Sequence, residues 1–165
     1  MNALTPPPIR LAVTDADFAQ ARALFEEYAA WLKVDLCFQG FADELATLPG
    51  AYAAPRGMLV LAGTPEAAAG CVALRPLVAN GAPDSGVAEI KRLYVRPVAR
   101  GTGLGMRLAQ TVIDGARAIG YREIKLDTLG QMAEAHALYA KLGFSECAAY
   151  YHNPIAGAVY MSKRL

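Results

Sequence analysis

The sequence Arg100-Gly101-Thr102-Gly103-Leu104-Gly105 forms a glycine-rich loop, and this loop constrains the fold more than any other feature of the chain. The apolar run from Val87 to Val95 precedes it and ends at Arg96-Pro97, which is typical of a strand. Apolar residues at helical spacing follow it: Leu104, Leu108, Val112, Ala116 and Ile119. Glycines between a strand and a helix N-terminus leave several backbone N–H groups open to one ligand, so the pattern predicts a phosphate site. A plain turn is the alternative.

Two other phosphate-binding patterns fit this loop less well. A P-loop needs a lysine after its last glycine, and no lysine stands at that spacing. The dinucleotide pattern G-x-G-x-x-G matches at Gly101 and Gly103 but requires a glycine where the chain has Met106. Asp127 ends the next predicted strand, where a ribose-binding acid would lie, but fewer than 40 residues follow it. The remaining chain is too short for a full doubly wound domain.

The rest of the chain predicts a mixed α/β domain. Thr14-Asp15-Ala16-Asp17 has the form of a helix capping box, and apolar residues follow it at helical spacing from Phe18 to Leu32. The other predicted elements are strands at 9–13, 58–61, 70–74, 87–95 and 123–128, helices at 41–48 and 135–142, and two strands within 144–165. Only the stretch from Val87 to Thr128 requires a parallel crossover. We expect a flexible tail over residues 1–8 and one domain over residues 9–165.

Composition excludes several classes of function. The net charge of +1 lacks the strongly basic balance of a nucleic-acid-binding domain, and no apolar run reaches the ~20 residues of a membrane span. The start of the chain does not have the pattern of a secretory signal, so we expect a cytoplasmic protein. Cys37, Cys71 and Cys147 are odd in number and widely spaced, which predicts reduced, mostly buried thiols and no metal.

Positive charge is concentrated around the glycine-rich loop. Between Ala88 and Ile113 the basic residues are Lys91, Arg92, Arg96, Arg100 and Arg107, and the only acid is Glu89. A solvated basic face is the ordinary interpretation of such a run. Because this run brackets the loop, it favours a small phosphate-bearing ligand instead.

The strand and loop resemble those of the GNAT acetyltransferases. Ala88-Glu89-Ile90-Lys91-Arg92-Leu93-Tyr94-Val95, followed by Arg100 to Gly105, is similar to the superfamily's strand and its (Q/R)-x-x-G-x-(G/A) loop. The segment from Ala135 to Phe144 resembles its A-x-x-L-Y-x-x-x-G-F motif, and the element order agrees from about Ile9 to Leu165. The resemblance implies a central mixed, mostly antiparallel sheet, flanked by helices, whose parallel strands four and five splay apart to bind acetyl-CoA.

The resemblance also implies roles for individual residues. Main-chain groups near Leu93 and Val95 would bind the pantetheine arm and the thioester carbonyl. The pyrophosphate would lie on the main chain of Arg100, Gly101, Thr102, Gly103, Leu104, Gly105 and Met106. Met132 replaces an asparagine that many members carry, so one polar contact is lost, and we expect binding to survive.

Attack of an amine on a thioester requires a neutral amine, stabilisation of the developing oxyanion and a proton for the departing thiolate. By resemblance, Tyr139 would donate that proton and Glu89, at the start of its strand, would accept the amine proton. The alternatives are a core aromatic for Tyr139 and a surface charge for Glu89. His136, on the same helix as Tyr139, is expected to face solvent.

The sequence therefore predicts an N-acetyltransferase that transfers the acetyl group of acetyl-CoA to a primary amine of a small molecule or peptide in a ternary complex. A non-catalytic acyl-CoA-binding or sensing module on the same fold is the alternative, because fold does not determine function. A nucleotide-binding oxidoreductase is a more distant one. We expect the segments 28–52 and 150–154 to shape the acceptor site. A homodimer is left open.

Overall fold

The computed structural model describes residues 5–79 and 82–165, which contain seven strands, four α-helices and three single-turn 3₁₀ helices at Cys37–Gln39, Gly50–Tyr52 and Pro97–Ala99. The strands are β1 (Ile9–Leu11), β2 (Met58–Thr64), β3 (Ala67–Ala79), β4 (Ala82–Val95), β5 (Glu123–Leu129), β6 (Ser145–Cys147) and β7 (Ala158–Arg164). The helices are α1 (Asp15–Leu32), α2 (Phe41–Thr47), α3 (Leu104–Ile119) and α4 (Ala133–Lys141). Of the predicted tail over residues 1–8, residues 1–4 lie outside the described part.

One sheet carries all seven described strands, in the order β1-β2-β3-β4-β5-β7-β6. Every neighbouring pair is antiparallel except β4 and β5, which α3 connects as a parallel crossover. This arrangement confirms the predicted fold class. Strands β3 and β4 are longer than the strands predicted at 70–74 and 87–95, because their pairing continues past Arg75-Pro76, where the apolar run in the sequence is interrupted.

Both faces of the sheet are covered. Alternate residues of β2 point in opposite directions, so Val60 and Ala62 join a core under α3, whereas Leu59 and Leu61 join a core under α1. In the described part of the chain, no helix combines the length and hydrophobicity needed to cross a bilayer.

The local signals at the helix ends are confirmed. The Thr14 hydroxyl accepts a hydrogen bond from the Asp17 N–H at 3.1 Å, and the Asp17 carboxylate accepts one from the Thr14 N–H at 3.1 Å. At the C-terminal end of α3, Gly120 has a φ of 104°, a conformation that a glycine adopts without strain. The first helix and the crossover helix therefore begin and end where the sequence predicts.

Two predictions about single side chains are wrong. Of the three cysteines only Cys71 is buried, whereas Cys37 is exposed and Cys147 is half-buried. His136 is half-buried rather than solvent-facing, and its Nε2 atom lies 2.9 Å from the Leu129 carbonyl oxygen at the end of β5. Cys37 lies in a single-turn 3₁₀ helix and Cys147 in the edge strand β6, and spacing along the chain does not report either exposure.

Candidate active site

The site lies where β4 and β5 separate. Their parallel pairing ends at Glu89 opposite Lys125, and both strands continue beyond that pair. On the other side of β4, a bulge shifts the register with β3 between Cys71 and Ala73. Arg92 lies in this bulge with a φ of 60°, an uncommon conformation for a residue with a side chain. The bulge and the separation together open a cleft in the middle of the sheet.

The outer part of the cleft, which we call the outer groove, has a volume of about 1040 Å³. It runs between the glycine-rich loop and α4. Its wall includes these predicted residues: Leu93, Val95, Arg100, Gly101, Gly103, Leu104, Gly105 and Met106. Thr102 is not part of the wall, and its hydroxyl donates a hydrogen bond to the Ala99 carbonyl at 2.7 Å, within the loop. The structure therefore brings together all but one of the residues predicted for the cofactor.

The loop suits an anion. Gly101 and Gly103 have φ values of 75° and 77°, and no atom lies within 4 Å of the position that a Cβ would occupy on either. Among the residues that the structure describes, no side chain caps the first turn of α3, so the first N–H groups of this helix have no side-chain acceptor there. Such uncapped donors at a helix N-terminus fit the pyrophosphate of acetyl-CoA.

Two aromatic residues and an arginine form one wall of the outer groove. The Arg100 guanidinium lies 4.8 Å from the centre of the Trp31 ring and 5.8 Å from that of Tyr94. Its Nε–H donates to the Val95 carbonyl at 2.9 Å. Trp31 remains 43% exposed. The sequence predicts that segment 28–52 shapes the acceptor site and does not indicate this contact of Trp31 with the loop.

Deeper in the cleft lies a smaller space of about 80 Å³, which we call the inner cavity. Its wall shares five residues with the outer groove: Leu32, Leu93, Leu129, Met132 and Ala135. The two spaces therefore meet beside the bulge. A group extending from the outer groove at this point faces whatever occupies the inner cavity.

Tyr139 lines the inner cavity from α4. It is 5% exposed, and its ring packs edge-on against Phe144 with centres 5.4 Å apart. Burial raises the pKa of its phenol well above the ordinary value, so the hydroxyl stays protonated at neutral pH. Tyr139 is thus both a core aromatic and a proton-bearing group in the cavity wall.

Asp127 is the centre of a polar cluster in the same wall. Its Oδ1 atom lies 3.3 Å from Lys91 Nζ, and its Oδ2 atom accepts hydrogen bonds from Asn153 Nδ2 at 3.1 Å and from the Tyr151 hydroxyl. Burial opposes the charged carboxylate, but Lys91 and these hydrogen bonds outweigh it and lower the pKa of Asp127. Asp127 is therefore anionic at neutral pH.

Glu89 lies behind the inner cavity rather than in its wall. It is 2% exposed, so the surface-charge alternative is wrong, and it lies well inside β4 rather than at its start. Its Oε1 atom pairs with Arg75 Nη2 at 2.8 Å, and its Oε2 atom accepts a hydrogen bond from Tyr150 at 2.7 Å. Burial and the neighbouring Glu89 raise the pKa of the Tyr150 phenol. Lys91 Nζ lies 3.9 Å from Glu89 Oε2, between this pair and Asp127.

A third ion pair lies beside the inner cavity, which Arg92 lines and Glu44 does not. Glu44 on α2 accepts hydrogen bonds from Arg92 Nε at 2.8 Å and Nη2 at 3.1 Å, and the Gln39 side-chain oxygen accepts one from Arg92 Nη1 at 2.8 Å. Gln39 Nε2 in turn lies 3.4 Å from the Tyr151 hydroxyl. The segments 28–52 and 150–154 therefore meet over the cavity. These are the two segments that the sequence predicts to shape the acceptor site, but nothing in the sequence indicated Gln39, Glu44 or the pairing of Lys91 with Asp127.

Comparison with known proteins identifies the family that the sequence motifs resemble. The model of the acetyltransferase (GNAT) family matches residues 11–144. An uncharacterised N-acetyltransferase of Schizosaccharomyces pombe is 40% identical over 146 residues, which cover 88% of this chain and 86% of that protein.

Solved structures share the fold. An acetyltransferase of Streptococcus agalactiae has a TM-score of 0.75 at 22% identity, covering 96% of this chain and 98% of its own. A GNAT superfamily phosphinothricin acetyltransferase of Sinorhizobium meliloti, solved in complex with acetyl-CoA, has a TM-score of 0.71 at 20% identity, covering 98% of this chain and 89% of its own.

Proposed function

The chain belongs to the GNAT acetyltransferase family and is an acyltransferase, and from this premise we propose that it transfers the acetyl group of acetyl-CoA to a primary amine of a small molecule or peptide. One observation carries the proposal. The outer groove, which the glycine-rich loop lines, meets an inner cavity lined by ionisable side chains, and the meeting point lies beside Leu93 in the β4 bulge. Direct transfer in a ternary complex requires such a junction between two binding spaces.

We assign the outer groove to the cofactor. The N–H groups at the start of α3 and in the loop would hold the pyrophosphate, and main-chain groups near Leu93 and Val95 would orient the pantetheine arm. When bound, acetyl-CoA supplies the activated acetyl group as a thioester. Because β5 pairing ends at Glu89, the edge of β4 beyond that residue is available to such an arm. A backbone N–H there would stabilise negative charge on the carbonyl oxygen.

We assign proton transfer to Tyr139 and Glu89. Tyr139 lines the inner cavity with its proton retained, which suits a donor to the departing sulfur. Glu89 would receive the amine proton through an intervening water, since its carboxylate lies behind the cavity wall. Arg75 and Tyr150 fix the orientation of that carboxylate.

The rest of the proposal concerns the whole protein. Residues 9–165 would form a single domain, with residues 1–8 as its tail. The carbonyls of Pro7 and Pro8 accept hydrogen bonds from Arg107 and Gly63, so the end of this segment is held against the domain. We further propose a cytoplasmic location, and a homodimer is consistent with the commonest assembly of such enzymes.

The test separates an enzyme from a non-catalytic acyl-CoA-binding module. Acetyl-CoA should raise the melting temperature of the purified protein, as a ligand of the native state must. Incubation with a panel of amines should then release free CoA thiol in proportion to the acetylated amine detected by mass spectrometry. Thermal stabilisation without release of thiol from any amine would favour the binding module. A failure of acetyl-CoA to stabilise the protein would overturn the assignment of the outer groove.

A further inference from the structure

The inner cavity also indicates which amines the protein accepts, and this inference rests on the proposed function. We propose that Asp127 binds the acceptor as an ammonium group, so that the acceptor is an aliphatic amine that is protonated at neutral pH. Among the described residues that line the inner cavity, Asp127 alone carries a carboxylate. The cations in the same wall, Lys91 and Arg92, would repel an ammonium group.

Asp127 lies where an acceptor has to arrive. The last β5 residue that pairs with β4 is Lys125, so Asp127 is in the part of β5 that has already diverged. Its side chain keeps 9% of its surface exposed. Asn153 and Tyr151 both donate to Oδ2, which orients the carboxylate and leaves Oδ1 facing Lys91. A cation can therefore replace Lys91 at Oδ1 without breaking the two hydrogen bonds to Oδ2.

Lys91 has a second acceptor in place. Its Nζ atom lies 3.3 Å from Asp127 Oδ1 and 3.9 Å from Glu89 Oε2. An ammonium group that takes the place of Lys91 at Oδ1 leaves Lys91 paired with Glu89. Each buried charge therefore keeps a partner when the acceptor binds, which a lone Asp127–Lys91 pair would not allow.

The size and charge of the cavity limit the acceptor further. A volume of about 80 Å³ admits the amine end of a molecule and a short chain, with Leu36 and Ile155 among the apolar walls. An arylamine or an alcohol of the same size is uncharged at neutral pH and gains nothing from Asp127. We therefore expect an aliphatic amine to be preferred over an arylamine of similar bulk.

The decisive experiment measures KM for both substrates in three variants. Asp127→Asn should raise KM for an aliphatic acceptor by about 30-fold or more, as expected when one partner of a buried charge pair is removed. KM for acetyl-CoA and thermal stabilisation by acetyl-CoA should stay within about twofold of wild type, because Asp127 does not line the outer groove. Asp114→Asn, the same substitution on the exposed face of α3, is the matched control and should leave both constants unchanged.

The double variant Lys91→Met/Asp127→Asn removes the possibility that Asp127 serves only to neutralise Lys91. It restores the balance of buried charge, and if Asp127 binds the ammonium it should still show the raised acceptor KM. Recovery of the wild-type acceptor KM in the double variant would overturn the proposal, as would equal use of matched aliphatic and aromatic amines by the wild type. If Asp127→Asn alone fails to fold, the double variant and the amine comparison decide the matter. Wild-type protein that binds acetyl-CoA but acetylates no amine would refute the proposed function itself.

Discussion

The two halves of the cleft are built in different ways. Residues 31–33, 93–106 and 129–141 line the outer groove, but the groups that we assign to the ligand belong to one stretch, residues 93–106, and include the backbone N–H groups at the start of α3. The inner cavity is assembled from side chains far apart in sequence, such as Lys91 and Asp127, which are 36 positions apart and whose charged atoms lie 3.3 Å from each other. The outer groove therefore offers main-chain groups from one short segment, whereas the inner cavity offers side chains that are distant from one another in the sequence.

This difference has a consequence for mutation. A site made of backbone groups should tolerate changes of side chain unless the change alters charge or backbone conformation. A site made of buried, mutually bonded side chains should be sensitive at each of them, because the loss of one leaves its partners unsatisfied. Four substitutions, in order of decreasing expected effect, test this contrast.

Glu89→Gln should have the largest effect. If Glu89 accepts the amine proton, kcat/KM at neutral pH should fall by roughly the 10²–10⁴-fold that loss of a general base causes. Much of kcat should return at high pH, where the free amine is abundant without a base, whereas KM for the acceptor should rise there in mutant and wild type alike as the ammonium form is lost. The measurement is therefore a pH profile of kcat at saturating amine, with KM followed separately, for mutant and wild type.

Glu123→Gln provides the matched control for that experiment. Glu123 is a half-buried carboxylate on β5, with Lys125 as its ion partner at 4.0 Å, and it lines neither the outer groove nor the inner cavity. Its pH profile should follow that of the wild type. Glu89→Gln with wild-type rates across the pH range would reduce Glu89 to a structural partner of Arg75.

Gly103→Asp should have the next largest effect, on the main-chain half. A Cβ at Gly103 meets no atom within 4 Å, so the variant adds negative charge without a clash. Repulsion between unit charges about 4 Å apart ranges from ~1 kcal/mol in water to ~4 kcal/mol near a protein surface, so KM for acetyl-CoA should rise about 100-fold. Thermal stabilisation by acetyl-CoA should be lost with it.

Gly103→Asn separates charge from conformation. Asparagine tolerates the φ of 77° about as well as aspartate and has the same size, so it should retain most of the cofactor affinity. Equal losses in the two variants would mean that the glycine matters for loop geometry, and unchanged binding in both would mean that the phosphates lie elsewhere.

The same contrast explains what sequence could predict of the fold. Some signals act only through the backbone and near neighbours of the residue, so they can be recognised in the sequence. Examples are the capping box at Thr14 and the glycines at 101, 103 and 120. The strands predicted at 70–74 and 87–95 are too short, because pairing between β3 and β4 continues through Arg75-Pro76, where the apolar pattern of the sequence is interrupted.

Prediction of the site from sequence is limited by how far apart the interacting residues lie in the sequence. The loop and Tyr139 lie in contiguous motifs, whereas the pairing of Lys91 with Asp127 depends on how far two strands diverge. The bond of Arg92 to Glu44 depends on the bulge that sets the Arg92 backbone. The motif resemblance implies that the two strands splay apart but not how far, and the bulge has no signature in residue type, so these ion pairs could be found only in the folded chain.

Tyr139→Phe should have a moderate effect. It keeps the ring and its edge-on packing against Phe144, so folding and acetyl-CoA binding should be unchanged, but kcat should fall about 10-fold if the phenol protonates the leaving thiolate. Because burial raises the pKa of this phenol above its ordinary value near 10, wild-type kcat should not fall from its deprotonation as pH rises toward 10.

Donor reactivity and a second tyrosine sharpen that result. The deficit of Tyr139→Phe should shrink with an acyl donor whose thiol is more acidic, since a better leaving group needs less help. Tyr121→Phe is the matched control: Tyr121 is also buried, but its hydroxyl donates to the Arg56 carbonyl outside both binding spaces. Wild-type turnover of Tyr139→Phe with every donor would leave Tyr139 as packing alone.

Arg100→Gln should have the smallest effect, and it tests the main-chain half most directly. The Arg100 side chain is an exposed cation above Trp31, and its Nε–H is occupied by the Val95 carbonyl. An exposed charge of this kind contributes little, so KM for acetyl-CoA should rise only about threefold, with kcat unchanged.

Trp31 is the only tryptophan of the chain and lines the outer groove, so its fluorescence reports a titration with acetyl-CoA directly. Arg117→Gln, at the far end of α3, should match wild type and controls for the loss of one positive charge. A 100-fold rise of KM for acetyl-CoA in Arg100→Gln would contradict the contrast between the two halves, because it would show that a side chain rather than the loop backbone holds the phosphates.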